Sequence, residues 1–305
     1  MESQPGSEGG RIAAFLVMAL IWGLTWLPMK LAAEVVPPIF LALVRFVLAG
    51  LCYLAIILPK GISLRLEQPG RVIAASLLIT TGSYSLLFWG VAHSPTGLSA
   101  VVNLALMPIF VILVGALYGQ ERITARRLGA IGLGVAGLLL LFSGRTGAAA
   151  DGAALGLAAV AAGTLSYAWG AVISRPLMRS MHPLALAFWE TSLGALALAP
   201  VSLLVEGYDS WRLSALADGR ALLGLSVLVL GGSLGAFTIY LWLLREWGAF
   251  RAGLYAFVSP VVAVAVGVAV AGETFGRPEA LGMSVLLAAT ALALTDGRRV
   301  ARSSP

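Results

Sequence analysis

Two prolines that interrupt long apolar stretches mark the part of the sequence where a ligand could bind. Pro108 and Pro260 occupy equivalent positions when the chain is shifted by 152 residues. A proline inside a helix removes a backbone donor and leaves the carbonyl four residues earlier without its partner. In a membrane such a carbonyl must find a protein group or water, so both prolines are predicted hinge positions beside a hydrated cavity. Kinks that serve packing alone are the alternative.

Polar and aromatic residues are the candidates for binding a small molecule in that cavity. Asn103 and Tyr255 are equivalent at the same shift, and a polar side chain at mid-bilayer normally faces the bundle interior or a cavity. Aromatic faces could hold an apolar, aromatic or cationic group, although helix packing explains each ring taken singly. The predicted substrate-binding residues are Trp22, Trp26, Tyr84, Asn103, Trp169, Tyr255 and Ser259.

Two charged residues, Arg45 and Glu190, fall inside apolar stretches and are candidate gating charges. They are equivalent at a shift of 145 residues but opposite in sign. Each lies about 10 Å into its helix from opposite faces, so a direct pair across a core of about 30 Å is not expected. We expect Arg45 to meet Glu34, and Glu190 to meet Arg175 or Arg179. Such pairs could act as gates or as static structural contacts.

Glu121 and Glu273 end the equivalent stretches that contain the two prolines. A carboxylate at the C-terminus of a helix opposes the helix dipole, so another group should hold it. We expect each glutamate to cap the start of the next helix in the chain.

The sequence lacks the residue patterns of an enzyme or a metal site. Its histidines, His93 and His182, and its single cysteine, Cys52, stand in no metal-binding motif, and one cysteine forms no intrachain disulfide. No paired carboxylates, nucleophile motif or phosphate-binding loop is present. We therefore predict no catalytic residues, no metal and no cofactor, and a protein that is not an enzyme.

The composition indicates a membrane protein. Of the 305 residues, 59% are hydrophobic and 11% are charged, and the mean hydropathy is +0.95, whereas soluble domains carry roughly 25% charged residues. A helix needs about 20 mostly apolar residues to span a bilayer. The fold class is therefore an all-α membrane protein, with transmembrane helices predicted near 12–33, 38–58, 71–92, 96–119, 126–143, 153–174, 183–205, 221–244, 249–271 and 277–295.

Basic residues predict the orientation of these ten helices. With both termini in the cytoplasm, 14 Lys and Arg residues fall in inside loops and tails and five in outside loops, as the positive-inside rule requires. Because they stand singly between apolar blocks, the net charge of +6 reflects membrane topology and predicts no nucleic-acid partner.

The helices are predicted to form two repeats of five, at 12–143 and 153–295. Five is an odd number, so the second repeat enters the membrane from the opposite side and the repeats are inverted. That architecture suits a transporter, because exchanging the conformations of the halves exchanges an inward opening for an outward one.

Four groups of residues form a recognisable pattern: Trp22-Gly23 with Lys30, Pro37-Pro38 with Arg45, Asn103 with Pro108, Glu121 and Gly129, and Pro260 with Glu273 and Gly282. This pattern resembles the drug/metabolite transporter superfamily, EamA type, over nearly the whole chain. Aromatic-rich helices and overall length further resemble the YddG-type aromatic amino-acid exporters of bacteria. The second repeat departs from the first where Tyr167 replaces Trp22 and Glu190 replaces Arg45, so contacts are not copied between halves.

The resemblance implies a multi-pass transporter of the bacterial inner membrane that exports small metabolites by alternating access. Amino acids, including aromatic ones, are the implied substrates, and the partners are the substrate and the lipid bilayer. Two alternatives stay open: a carrier of phosphorylated or nucleotide-linked sugars, and a non-transporting membrane receptor or scaffold. The sequence leaves the oligomeric state open and is compatible with a monomer.

Overall fold

Long helices account for almost all of the chain that the structure describes. This computed structural model describes residues 8–121, 123–143, 148–240, 242–243 and 255–302. No strand occurs in these residues, and the predicted all-α fold is confirmed. The helices are α1 (Glu8–Ala33), α2 (Pro38–Ile57), α3 (Pro69–Ala92), α4 (Thr96–Leu117), α5 (Ala125–Ser143), α6 (Ala148–Ser174), α7 (Pro183–Glu206), α8 (Gly219–Tyr240), α9 (Tyr255–Ala271) and α10 (Arg277–Arg302).

Seven helices in the described part of the chain, α1 to α4 and α6 to α8, are long and apolar enough to cross a membrane. A shorter apolar helix covers Val258–Ala271 within α9. The helix ends differ from the predictions by a few residues: α1 begins at Glu8, and α10 continues to Arg302. The predicted start of the ninth helix, at 249, lies outside the described residues.

Prolines and caps explain where several helices begin and end. Pro38, Pro69 and Pro183 are the first residues of α2, α3 and α7, where the missing N–H costs nothing and the fixed φ suits a helix. The side chain of Asp218 accepts a hydrogen bond from the Arg220 N–H at 2.8 Å and caps α8. Helix α7 stops at Gly207, whose φ of 81° favours glycine.

Helix packing follows an approximate twofold symmetry between the repeats. Helices α2 and α7, α4 and α9, and α5 and α10 pack against each other as equivalent pairs. Helix α6 packs on α3 and α4, and its counterpart α1 packs in the same way on α8 and α9. These contacts are repeated when the two sets of five helices are exchanged, as expected for inverted repeats. The chain order places Lys30 and Glu273 at one end of the bundle and Glu121 and Arg175 at the other.

Two helices carry π-helical turns at equivalent positions. The turn in α3 covers Leu77–Gly82 and the turn in α8 covers Val227–Ala236, and a shift of 152 residues carries the first into the second. Turns of this kind within α-helices frequently lie at functional sites. Residues of both turns line the central cavity.

Candidate functional site

A central cavity of about 430 Å³ lies between the two repeats. Helices α1 to α4 line it from the first repeat, and helices α6 to α9 line it from the second. Its volume falls within the range of about 300–1,000 Å³ that is typical of small-molecule sites. The equivalent helices of both repeats therefore build one shared site.

Five of the seven residues predicted to bind substrate lie on the wall of this cavity: Trp22, Trp26, Tyr84, Asn103 and Tyr255. The side chain of Asn103 donates a hydrogen bond to the Thr164 hydroxyl on α6 at 2.9 Å, which fixes its orientation. The structure thus brings these five residues together, and their contact with a substrate stays a prediction.

Trp169 lies away from the cavity. Its side chain is 38% exposed, and its Nε1 donates to the Tyr118 hydroxyl at 2.9 Å. Two residues along a helix turn through about 200°, so Trp169 lies almost opposite Tyr167, which lines the cavity. Tyr167 is also the repeat equivalent of Trp22, and that equivalence was the signal in the sequence for the cavity-lining aromatic of α6.

Ser259 is the second predicted residue that the cavity wall does not include. It is fully buried, and its hydroxyl donates to the Ala19 carbonyl at 2.9 Å. A Cβ placed on Gly23 would lie 2.9 Å from the Ser259 carbonyl, so α1 and α9 approach closely here. Ser259 therefore joins two helices, which is the packing role that polar residues often take within membranes.

The two prolines lie inside their helices as predicted, Pro108 in α4 and Pro260 in α9. Leu104, four residues before Pro108, lines the cavity, whereas Ala256, four residues before Pro260, is buried. The role of the two prolines as hinges stays a prediction.

Aromatic rings form two clusters along the cavity. In the first, the Trp22 ring centroid lies 4.5 Å from Tyr255 and 5.4 Å from Tyr240. In the second, the Tyr84 ring lies 4.5 Å from Phe46 and 6.4 Å from Tyr167. Such surfaces suit flat apolar or aromatic groups.

Arg45 lies on the cavity wall beside the second aromatic cluster. Its guanidinium carbon is 5.2 Å from the ring centroid of Phe46, 5.3 Å from Tyr84 and 5.8 Å from Phe88. One guanidinium nitrogen lies 3.5 Å from the Ser233 hydroxyl. Aromatic faces therefore hold this cation in position.

Glu190 lies on the wall of the same cavity. Its carboxylate accepts a hydrogen bond from the Ser174 hydroxyl at 2.5 Å. The ion pairs expected for the two buried charges are replaced by others, because Glu34 binds Arg220 at 2.9 Å and Arg175 binds Glu121 at 3.0 Å. Arg45 and Glu190 instead line the cavity. The packing of α2 against α7 turns both positions towards it.

Ion pairs connect the two repeats at both ends of the bundle. At one end, the Lys30 ammonium lies 3.4 Å from the Glu273 carboxylate. At the other, the Glu121 carboxylate lies 3.0 Å from both Arg175 and Arg127. We call these contacts the Glu273 ion pair and the Glu121 ion pair, and the ends that they occupy the Glu273 end and the Glu121 end.

Glu273 caps a helix of the opposite repeat, which corrects the prediction that it caps the next helix in the chain. Its two oxygens accept hydrogen bonds from the Thr96 N–H at 2.5 Å and the Gly97 N–H at 3.1 Å, in the first turn of α4. Burial alone raises the pKa of this carboxyl, but the hydrogen bonds from Thr96 and Gly97 and the charge of Lys30 outweigh burial and lower the pKa below its ordinary value. The glutamate therefore stays ionised and holds the two repeats together.

Equivalent glycines make room for the two glutamates. A Cβ placed on Gly115 would lie 2.6 Å from the Glu121 Cγ, and one on Gly267 would overlap the Glu273 carboxylate. The backbone N–H of each glutamate also donates to the carbonyl of its glycine, at 3.1 and 3.0 Å. The glycine and the glutamate thus form one unit that occurs in both repeats.

Sequence comparison identifies the family. The profile of the EamA-like transporter family matches residues 10–143 and 154–295. The chain belongs to the EamA-like transporter family. It is 30% identical to YedA of Escherichia coli (strain K12), which is named as an uncharacterized inner membrane transporter, over 96% of this chain and 92% of that protein.

Further relatives of this EamA-like chain agree with that assignment. A protein of Salmonella typhimurium (strain LT2) named as a probable amino-acid metabolite efflux pump is 27% identical, over 90% of this chain and 91% of its own length. A solved structure titled "Crystal structure of protein" shares the fold, with a TM-score of 0.63 and 22% identity over 96% of this chain and 99% of that one. The chain is thus a multi-pass membrane transporter, and inner membrane transporters are among its relatives.

Several cavity residues of this EamA-like transporter are absent from the predicted substrate site, among them Arg45, Glu190 and Tyr167. The two charges were recognised as unusual, but were expected to pair towards opposite faces of the membrane. Tyr240 and Ser233 on α8 also line the cavity, and the sequence offers no signal for them beyond their place in an apolar helix.

Proposed function

We propose that this EamA-like transporter exports amino acids or closely related metabolites, including aromatic ones, through the central cavity. The observation that carries the proposal is that both repeats line one cavity with aromatic rings and a small number of polar groups. That combination is typical of sites for small organic molecules. The name of the Salmonella relative, an amino-acid metabolite efflux pump, supports the same substrate class.

Alternating access through two gates is the mechanism that we propose. The Glu273 and Glu121 ion pairs join the repeats at opposite ends of the bundle, on either side of the cavity. Opening one end requires that its ion pair separate while the other holds. Equivalent residues form both pairs, so the two gates would work by the same contact. The positive-inside prediction assigns the Glu121 end to the cytoplasm.

The alternative of a sugar-phosphate carrier receives less support. A phosphate group carries up to two negative charges and is usually bound by several cations. Among the described residues that line the cavity, Arg45 is the cation and Glu190 opposes it with a negative charge. A receptor or scaffold would bind a ligand without moving it, which a flux measurement distinguishes.

The proposal is tested by flux in proteoliposomes. Purified protein is reconstituted, the vesicles are loaded with unlabelled phenylalanine, and uptake of labelled phenylalanine is followed with a panel of amino acids and sugar phosphates as competitors. We expect saturable exchange that amino acids inhibit and sugar phosphates do not. Protein-free vesicles and the Trp169→Ala variant, altered outside the cavity, serve as controls. An absence of flux from folded protein, or inhibition by sugar phosphates alone, contradicts the proposal.

A further inference from the structure

We infer that Arg45 and Glu190 are the two poles of a binding site for a zwitterion, with Arg45 holding the carboxylate group and Glu190 the ammonium group. This inference rests on the proposed function and deepens it by assigning the charged groups of the substrate to residues. Both residues were expected to pair with other side chains, and the structure places them on one cavity instead.

The guanidinium of Arg45 has unused hydrogen-bonding capacity. It carries five N–H donors, yet its contact with the Ser233 hydroxyl, at 3.5 Å, is longer than a good hydrogen bond. Its Nε has no acceptor in the part of the chain that the structure describes. The rings of Phe46, Tyr84 and Phe88 attract its charge but take up none of its donors in a linear hydrogen bond. A carboxylate is the group that pairs with a guanidinium through two parallel hydrogen bonds.

The carboxylate of Glu190 also has unused hydrogen-bonding capacity, as an acceptor. Two carboxylate oxygens accept about four hydrogen bonds, and from the described residues Glu190 receives one side-chain hydrogen bond, from Ser174. Ser174 is itself 2% exposed and fixes the carboxylate in place. The nearby Arg175 is occupied by Glu121. A primary ammonium group, with three donors and a positive charge, supplies what Glu190 lacks.

The spacing of the two charges fits a bridging ligand better than a direct ion pair. Each residue lies seven positions into its helix, α2 or α7, and these antiparallel helices start at opposite ends of the bundle. Seven residues rise about 10 Å, so in a core of about 30 Å the two backbone positions differ in depth by roughly 10 Å. Arg45 and Glu190 form no ion pair with each other among the described residues, so a molecule with opposite charges at its ends can bridge them.

Two tyrosines of the cavity wall lie near both charges. Tyr53 lies within electrostatic range of both Arg45 and Glu190, and so does Tyr167. The hydroxyl of Tyr53 donates to the Ser233 carbonyl at 3.4 Å. The first aromatic cluster, Trp22 with its neighbours, lies on the same cavity and offers a surface for an apolar side chain. The site thus has a positive pole, a negative pole and an aromatic surface.

Selectivity follows from the cost of leaving a charge unpaired. A buried charge without a partner is costly, whereas two opposite charges that each meet a partner are tolerated. A zwitterion satisfies both poles, but an amine leaves Arg45 unpaired and an acid leaves Glu190 unpaired. Sites built around buried polar groups reject analogues that lack the matching group.

The test compares three ligands that share one ring and differ in their charges. They are phenylalanine, 2-phenylethylamine, which lacks the carboxylate, and 3-phenylpropionate, which lacks the ammonium group. Binding is measured as the ligand-dependent rise in melting temperature of the purified protein, which does not require transport. We expect the wild type to bind phenylalanine at least about tenfold more tightly than either analogue, because each lacks one charged hydrogen-bonded contact.

The variants Arg45→Gln and Glu190→Gln separate the two poles. In Arg45→Gln the preference for phenylalanine over phenylethylamine should disappear while the preference over phenylpropionate remains. In Glu190→Gln the pattern should reverse. The conservative variants Arg45→Lys and Glu190→Asp keep the charge in case a neutral variant does not fold, and should retain the preference in weakened form. The pair Arg220→Gln and Glu34→Gln alters an exposed ion pair and should leave both preferences unchanged.

The outcomes distinguish this inference from the proposed function. The wild type could bind and exchange phenylalanine without discriminating against the analogues, or both neutral variants could keep the wild-type preferences. In either case the assignment of the two poles is wrong and the export proposal stands. If the wild type neither binds nor moves any of the three ligands, the proposed function fails, and the assignment fails with it.

Discussion

The ammonium group of Lys30 lies 3.4 Å from the carboxylate of Glu273, and the chain forms the same contact again at the opposite end of the bundle. There Arg175 is the equivalent of Lys30 at a shift of 145 residues, and Glu121 is the equivalent of Glu273 at a shift of 152. The two ion pairs thus obey the symmetry of the inverted repeats. Each joins one repeat to the other, so each resists opening at its own end.

Removing the charge of Glu273 should destabilise the protein. In Glu273→Gln the ion pair to Lys30 and part of the hydrogen bonding to Thr96 and Gly97 are lost. Hydrogen bonds to charged groups contribute about 1.5–3 kcal/mol each, so we expect the melting temperature of the purified protein to fall by several degrees. Glu67→Gln, which removes a carboxylate that pairs with the exposed Arg65, serves as the control, and an equal effect in both variants would contradict a special role for Glu273.

Acidification should reveal the same contact. The pKa of Glu273 is lowered in the folded protein, so its contribution to stability is present above its unfolded pKa, about 4.3. That contribution is lost as the pH falls through the lower folded value. The difference in melting temperature between wild type and Glu273→Gln should therefore be constant near neutrality and shrink below about pH 4. If the difference in melting temperature instead grows on acidification, the pKa of Glu273 is raised in the folded protein and not lowered.

The glycine beneath each glutamate should be sensitive to a single methyl group. In Gly267→Ala the new Cβ overlaps the Glu273 carboxylate, so the side chain must move away from Lys30. We expect a loss of stability similar to that of Glu273→Gln. The double variant should lose less stability than the sum of the two single losses, because both changes break the same contact. Gly132→Ala, with no atom within 4 Å of its Cβ, is the matched control and should be neutral or stabilising by up to about 1 kcal/mol. Additive losses would show that Gly267 acts independently of the ion pair.

Exchange of phenylalanine should depend on Tyr255 and be indifferent to Trp169. Tyr255→Ala removes an aromatic ring from the cavity wall. One aromatic contact with the substrate contributes about 0.5–1.5 kcal/mol, so the half-saturating concentration should rise by about two- to tenfold. Trp169→Ala removes an aromatic ring of similar bulk outside the cavity and should leave half-saturation unchanged. Concentration dependence of labelled uptake, normalised to folded protein, provides the measurement. Equal shifts in the two variants would mean that the cavity is not the route.

Much of the fold was predictable because it depends on patterns that repeat along the chain. Apolar length fixed the number of helices, and the Pro108–Pro260 and Glu121–Glu273 equivalences indicated two repeats. The partner of Glu273 was not predicted, because a cap on the next helix is a local pattern whereas the cap on α4 requires knowing which helices pack together. The matching of Lys30 with Arg175 was visible in the sequence, but their contacts with the glutamates depend on the tertiary fold.

The site was predicted less completely because side-chain direction is decided by packing. The sequence placed Arg45 and Glu190 at the correct depth in their helices, and only the cavity shows that both turn inward. Trp169 and Tyr167 are two positions apart and lie on nearly opposite faces of α6. Because this apolar helix has small residues on several faces, its sequence does not reveal which face lines the cavity. Residues with a defined repeat partner were therefore located better than residues chosen for their type alone.

The second repeat carries Glu190 at the position where the first carries Arg45. This difference affects how a dipolar solute enters the cavity from each side. Exchanging the two repeats preserves the shape of the cavity but reverses its electric dipole. Arg45 lies nearer the Glu273 end and Glu190 nearer the Glu121 end, since each is seven residues from the start of its helix. A solute that arrives from one side of the membrane meets the positive pole first, and one that arrives from the other side meets the negative pole first. The two openings are thus alike in outline and opposite in polarity.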